Sequence, residues 1–302
     1  MEQHKTSMTA VVSAFARAYH ARQDNPKIFN DSLAYDLIGK SQYSQVAQNM
    51  LNGYSFFSAG EELNLQTDDE KLQWVVQTQL APTPLARARY CEDMLQNAIK
   101  LGCKQYVILG AGMDTYAFRS SEASDYLSIF EMDHPATQTY KRQRLEEIGW
   151  DIPQNLHLLP IDFTQQNISA VLTKGKFNPL KRSFFSWLGV TYYLDKESII
   201  KTLSDIASIT PKGSSILFDF PNDQLFTTPV KRVQSMVGMA QASGEPMKSC
   251  FTYHELESLL ESCGFLIYEH LPTEEIQSRY FQNRTDFLRA FDTVAYVLAV
   301  RN

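Results

Sequence analysis

Beyond about residue 105 the chain alternates short apolar runs that leave no wet face with longer segments whose apolar residues recur at helical spacing, and few architectures accept that rhythm. The runs fall at 106–109, 127–131, 156–160, 183–188, 214–220 and 294–300, and a further strand starts at 265–268. A run with no polar face must be covered on both sides, which a parallel sheet between two helical layers achieves. The expected fold class is therefore α/β: a doubly wound, mostly parallel, seven-stranded sheet. Two intervening helices carry their own start signals. Asp195 opens one with Ile199, Ile200, Leu203 and Ile206 on a face, and Thr252 with Glu255 forms a capping box for another that stops at Gly264.

The first 101 residues read differently. They are helical throughout, with Asp31 expected to cap a helix holding Leu33, Ala34, Leu37 and Ile38, and with a second clear helix from about Leu85 to Gly102. A helical insertion spans 226–243 and ends in the turn Gly244-Glu245-Pro246. The expected organisation is a single domain over 1–302, with 1–101 as a helical cap and about 222–250 as a cap insertion in a core of 102–302. The net charge of −6 gives no field to draw in a phosphate backbone, so no nucleic-acid partner is expected. No apolar run approaches the roughly 20 residues that span a bilayer, and the first ten residues lack the apolar stretch of a leader, so no membrane partner and a cytoplasmic location are expected. Four scattered cysteines and six scattered histidines show no ligand spacing, and no metal is expected.

In an open parallel sheet, ligands bind beyond the carboxyl ends of the strands, so the residues that follow successive strands converge. After the first strand come Gly110, Ala111 and Gly112, where the backbone can pass close to a ligand. Glu131 and Asp133 follow the second strand, where an acid accepts hydrogen bonds from ribose hydroxyls. Asp162 and Phe163 follow the third and offer an acceptor for an adenine amine and an apolar neighbour for its ring. Asp133 or Asp162 could instead simply cap the next helix. The first turn lacks the third glycine of the dinucleotide fingerprint, and Asp114 disfavours a pyrophosphate at that place. A ligand with ribose and adenine but no phosphates fits better. S-adenosyl-L-methionine is one, and Arg87 or Arg89 could pair with its carboxylate.

Several stretches resemble the leucine carboxyl methyltransferase family, in its bacterial branch. They are Ala86-Arg87-Ala88-Arg89-Tyr90-Cys91-Glu92-Asp93, then Val107-Ile108-Leu109-Gly110-Ala111-Gly112-Met113-Asp114-Thr115 with Arg119, and Phe130-Glu131-Met132-Asp133-His134-Pro135 with Lys141. Pro160-Ile161-Asp162-Phe163, Trp187-Leu188-Gly189-Val190-Thr191-Tyr192-Tyr193-Leu194 and Gly244-Glu245-Pro246 continue it. The resemblance implies a Rossmann-like methyltransferase that uses S-adenosyl-L-methionine. It implies Arg87 at the cofactor carboxylate, Gly110 beside the amino-acid moiety, Asp133 at the ribose, and Asp162 and Phe163 at the adenine. Many members carry a Glu that contacts the cofactor amino group where this chain has Leu188. Either a backbone carbonyl near Trp187 or Leu188 takes that contact, or affinity falls.

The function expected is an O-methyltransferase acting on a carboxyl or hydroxyl group of a small molecule, less readily of a protein terminus. The alternatives are a nicotinamide-dependent oxidoreductase and a catalytically degenerate binding module. Tyr192, Tyr193, His134 and Glu245 are polar candidates near the mouth, none of them assigned as a base, so the catalytic residues stay unknown. The cap aromatics Tyr19, Phe29, Tyr54, Phe56, Phe57 and Phe226 suit an apolar or aromatic acceptor, or else pack cap against core.

Overall fold

The computed structural model describes residues 8–58, 63–120, 126–163 and 165–302; the amino-terminal seven residues read above for a leader, His4 included, lie outside them. The amino-terminal region contributes α1 (Met8–Gln23), α2 (Ala34–Ile38), α3 (Lys40–Asn52), α4 (Tyr54–Phe57), α5 (Asp68–Val75), one π-helical turn (Val76–Leu80) and α6 (Pro82–Lys100). The alternating region then runs β1 (Gln105–Leu109), α7 (Tyr116–Arg119), β2 (Ser128–Asp133), α8 (Pro135–Glu147), β3 (Leu156–Pro160), α9 (Ile168–Lys174) and β4 (Ser183–Trp187). It continues through a 3₁₀ turn (Thr191–Tyr193), α10 (Lys196–Ser208), β5 (Ser215–Pro221), α11 (Lys231–Ala242), α12 (Tyr253–Ser262), β6 (Phe265–Leu271), α13 (Thr273–Tyr280) and β7 (Val294–Arg301).

The seven strands form one sheet in the order β3-β2-β1-β4-β5-β7-β6, parallel except for β7, which runs antiparallel to both of its neighbours. The strand order turns back between β1 and β4, and that reversal opens the crevice above their carboxyl ends. Burial follows the two-residue period of a strand. Tyr106 and Ile108 of β1 face a core shared with α1, α2 and α6, whereas Val107 and Leu109 face a second core filled by α9, α10 and α12. All five residues of β1 and all seven of β5 are buried, which explains why these runs carry no polar face.

The strands expected from the sequence are all present, with no end shifted by more than three residues and 156–160 unchanged. Both start signals act as read: Asp195 accepts from the Ser198 N–H, and the Thr252–Glu255 capping box is complete. Asp31 does not. Leu33 occupies the cap position of α2 without a side-chain bond, and Asp31 is drawn inward by Arg17 (2.9 Å) and by the Thr115 hydroxyl (2.7 Å). Arg17 and Arg119, the latter 3.4 Å away, outbid a cap at the surface for that carboxylate, because a buried arginine needs a counter-charge more than a helix end in water needs an acceptor. The insertion is helical only over α11, so Phe226, exposed and outside that helix, is not part of it.

Candidate active site

A cavity of about 600 Å³ opens at the carboxyl ends of β1 to β4. Its walls bring together residues far apart in sequence: Arg87 from α6, Gly110 to Asp114 after β1, Asp133 and His134 after β2, Asp162 and Phe163 after β3, and Leu188 to Val190 after β4. Thr9, Ala10, Ser13 and Arg17 of α1 cover one side, and Gly244, Glu245, Pro246 and Lys248 close another. The two covers touch, since the Thr9 hydroxyl donates to Glu245 at 2.9 Å.

The glycine turn is shaped by its neighbours as well as by its own freedom. Gly110 has φ +72°, and a Cβ there would sit 2.6 Å from Cγ2 of Val190 on the loop after β4. Only glycine permits both the left-handed backbone and the approach of the two loops. At the far side of that turn the Gly112 N–H donates to Asp133, whose other oxygen accepts from the His134 N–H at 2.6 Å. Each carboxylate oxygen keeps a lone pair, so Asp133 can still accept from two hydroxyls. Burial raises its pKa, and the two N–H donors pull it back only in part. Neither strand-end acid caps a helix: His134 caps α8 through Nδ1 and Asn167 caps α9.

Arg87 is one of four cationic side chains on the cavity wall, with Arg17, Arg119 and Lys248. Its guanidinium donates to Asp219 at 2.8 Å, while Arg89 faces solvent and pairs with Asp93 one helical turn on. Asp219, near the end of β5, is fully buried. It also accepts from the Gly189 N–H (2.7 Å) and from the Tyr192 hydroxyl (3.0 Å). The sequence reading did not select it; an acid inside the apolar run Phe218-Asp219-Phe220 was the available signal, since a carboxylate in a buried strand needs a partner. Trp187 does not line the cavity. Strand alternation turns its ring into the core against Phe218, so only its main chain is left to serve a ligand.

Other expectations are sorted by the same geometry. Glu131 is not at the strand end but inside β2, ion-paired with the buried Lys141, which also donates to the Asp114 carbonyl at 2.6 Å. Burial raises the Glu131 pKa to about 7 and Lys141 opposes that rise. Tyr193, His134 and Glu245 border the cavity, whereas Tyr192 is buried behind it with its hydroxyl on Asp219. Among the cap aromatics only Phe29 is a wall residue, and Arg119 stacks on it at 4.9 Å. Tyr19 packs on Phe15 and Tyr54 on Trp74, all four in the amino-terminal helices, so these rings pack the cap within itself. Sequence reading missed the polar floor, where Arg119 pairs with Glu92 and Thr115 beside Arg17. Among the described residues no group of three or more His, Cys, Asp and Glu is placed to hold a metal ion.

The sheet order and the crevice at its strand ends define a Rossmann-like fold, and the family and relatives of the chain make it a methyltransferase whose methyl donor is S-adenosyl-L-methionine. Residues 10–207 match the family described as leucine carboxyl methyltransferase, and the chain belongs to that family. It is 50% identical, over the whole of both chains, to YktD of Bacillus subtilis (strain 168), which carries the name of an S-adenosyl-L-methionine-dependent methyltransferase. A protein of the same named class from Mycobacterium avium (strain 104) is 27% identical over 69% of this chain and 64% of its own length. In fold, the chain resembles a DUF574-family protein of Streptomyces avermitilis MA-4680, at a TM-score of 0.55 and 13% identity, over 83% of this chain and 97% of that one. The alternative of a nicotinamide-dependent oxidoreductase falls away with the family. No helix among the described residues is long and apolar enough to cross a membrane.

Proposed function

We propose that the protein transfers the methyl group of S-adenosyl-L-methionine to a carboxyl or hydroxyl oxygen of a small-molecule acceptor that enters the same cavity. One observation carries the reading: Arg87, the Gly110–Gly112 turn, Asp133, and the pair Asp162 and Phe163 line a single continuous cavity at the strand ends. Bound there, the cofactor supplies a methyl carbon made electrophilic by its sulfonium. Arg87 would hold its carboxylate, Asp133 its ribose hydroxyls, and Asp162 with Phe163 its adenine. With Leu188 supplying no acid, a main-chain carbonyl near Trp187 or Leu188 would meet its amino group.

Transfer then requires the acceptor oxygen to be aligned with the methyl carbon and water to be kept out, and alignment alone accounts for several kcal/mol of such a barrier. The meeting of α1 with the 244–246 turn serves the second need. Neither the phenol nor the thiol on the wall is a ready base. Burial raises the Tyr193 phenol and the Cys91 thiol, so both keep their protons at neutral pH. Nδ1 of His134 accepts from the Ala136 N–H, which leaves the proton of the neutral ring on Nε2. A carboxylate acceptor is already ionised and needs no base, whereas a hydroxyl does. This favours the carboxyl group as the first acceptor to test.

The test incubates the protein and methyl-labelled S-adenosyl-L-methionine with panels of small carboxylic acids, phenols and alcohols. A methyl ester releases labelled methanol in mild alkali and a methyl ether does not, so the product chemistry separates the two oxygens. Label found only on nitrogen, sulfur or carbon would overturn the reading.

A further inference from the structure

We propose that Asp219 is the positioning residue for the cofactor carboxylate, aiming Arg87 across the cavity and fixing, through Gly189, the loop beside it. The inference rests on the cofactor site proposed above and adds a residue to it that does not itself touch the cavity. Three observations carry it. The first is the division of labour on one carboxylate: Oδ2 accepts from Arg87 Nη1 at 2.8 Å and from Tyr192 at 3.0 Å, while Oδ1 accepts from the Gly189 N–H at 2.7 Å. The second is the packing of Arg87 against Gly189. A Cβ on that glycine would lie 2.6 Å from Nη1, so guanidinium and loop are held in contact by the same acid. The third is exposure: Asp219 is wholly buried, but the Arg87 side chain keeps 15% of its surface open and lines the cavity.

A guanidinium has five N–H donors in a fixed planar fork, so anchoring one edge to Asp219 dictates where the remaining donors point. In this chain Leu188 brings no charge to the amino-acid end of the site, which places the binding of that end more heavily on a well-aimed Arg87. The main chain of the same residue fastens the turn after β4 as well. Its own carbonyl accepts from Thr191 at 2.6 Å, and the Thr191 and Tyr192 carbonyls accept from Ser249 and the Lys248 N–H.

The test compares two ligands that share an adenosine and a thioether: S-adenosylhomocysteine, which has the amino-acid carboxylate, and 5′-methylthioadenosine, which lacks it. Calorimetry is run on the full chain and on Asp219→Asn. In that variant the amide oxygen can still accept from Gly189, but the amide N–H groups face the donors of Arg87 and push the guanidinium off its line. The expected result is a weakening of S-adenosylhomocysteine by tenfold or more with 5′-methylthioadenosine unchanged within twofold. In an Arg87→Met background, Asp219→Asn should then add nothing. Equal weakening of both ligands, no weakening of either, or losses that add with those of Arg87→Met would each overturn the proposal. Should Asp219→Asn not fold, Asp219→Glu, which keeps the charge but displaces the guanidinium, should give the same selective loss. A wild-type chain that binds neither ligand would instead refute the cofactor site itself.

Discussion

Asp133 and Gly189 show how much a single position decides in this cavity. Asp133 stands where β2 ends, and its two oxygens already hold the glycine turn and the start of α8. Replacing it with Ala removes a charged acceptor, so S-adenosylhomocysteine binding should weaken by about 1–3 kcal/mol. An unchanged dissociation constant by calorimetry would show that the ribose lies elsewhere. Gly189 has φ +72° and touches Arg87 where a Cβ would go. Gly189→Ala therefore strains the backbone by about 1–3 kcal/mol and displaces the guanidinium, and both the melting temperature and S-adenosylhomocysteine affinity should fall. Loss of stability with intact affinity would separate the loop from the site. Asp133 was legible because a strand end followed by an acid is a local pattern. The partner of Arg87 was not, because Asp219 lies 132 residues away and only the packing of α6 on β5 brings it close.

Elements meet at the cavity through charge as well as through packing. Helix α1 is fastened to the loop after β1 by Arg17, which bonds Asp31 and the Met113 carbonyl (2.8 Å), while Asp31 reaches Thr115 and Arg119. Asp31→Ala takes from the largely buried Arg17 its only carboxylate among the described residues and from Arg119, which keeps Glu92, one of two, and should cost about 3–5 kcal/mol in denaturant unfolding. Its pH signature follows from the sign of the shift. Burial pushes the Asp31 carboxyl up, but Arg17 and Arg119 more than offset this and hold it below its usual value. Asp31 therefore contributes stability that is complete above the ordinary aspartate range and is lost as pH falls through its lowered pKa. Comparing urea midpoints of wild type and Asp31→Asn across that range should show the gap closing on acidification; a constant gap would contradict it. Helix α12 supplies the contrast. Thr252→Ala breaks a capping box away from the cavity, so it should cost about 1 kcal/mol and leave S-adenosylhomocysteine binding untouched.

At the scale of the whole molecule, the cavity exists because two covers close over one sheet edge, and its ligand should stabilise the assembly it bridges. Saturation with S-adenosylhomocysteine at 100 times its dissociation constant should add about 2.7 kcal/mol to the folding free energy, seen as a raised melting temperature. Burial in that crevice also sets a pH dependence. Asp133 is raised above its usual value by desolvation, and in the proposed site its ionised form is the one that would accept from both ribose hydroxyls. As pH falls through the raised pKa, cofactor affinity should decline at pH values where an exposed aspartate is still fully charged. Affinity that stays flat until the ordinary aspartate range would mean that Asp133 makes no such contact.

By itself the sequence determined the sheet, the two helical layers and the strand ends at which a ligand would sit, because apolar periodicity, capping residues and glycine turns act within a few residues of where they occur. Asp133, Asp162 and Phe163 were readable as cavity residues for the same reason, each following a strand, whereas the choice of Arg87 over Arg89 came from the family resemblance. Tertiary structure alone decided the fate of groups whose partners come from elsewhere in the chain. It turned Asp31 from a cap into the hub of two arginines, set Glu131 against Lys141 inside the sheet, sent the Trp187 ring into the core and placed Asp219 behind Arg87. A buried charge takes whichever counter-charge the packing brings within reach, and that choice is written in the fold as a whole and in no stretch of residues.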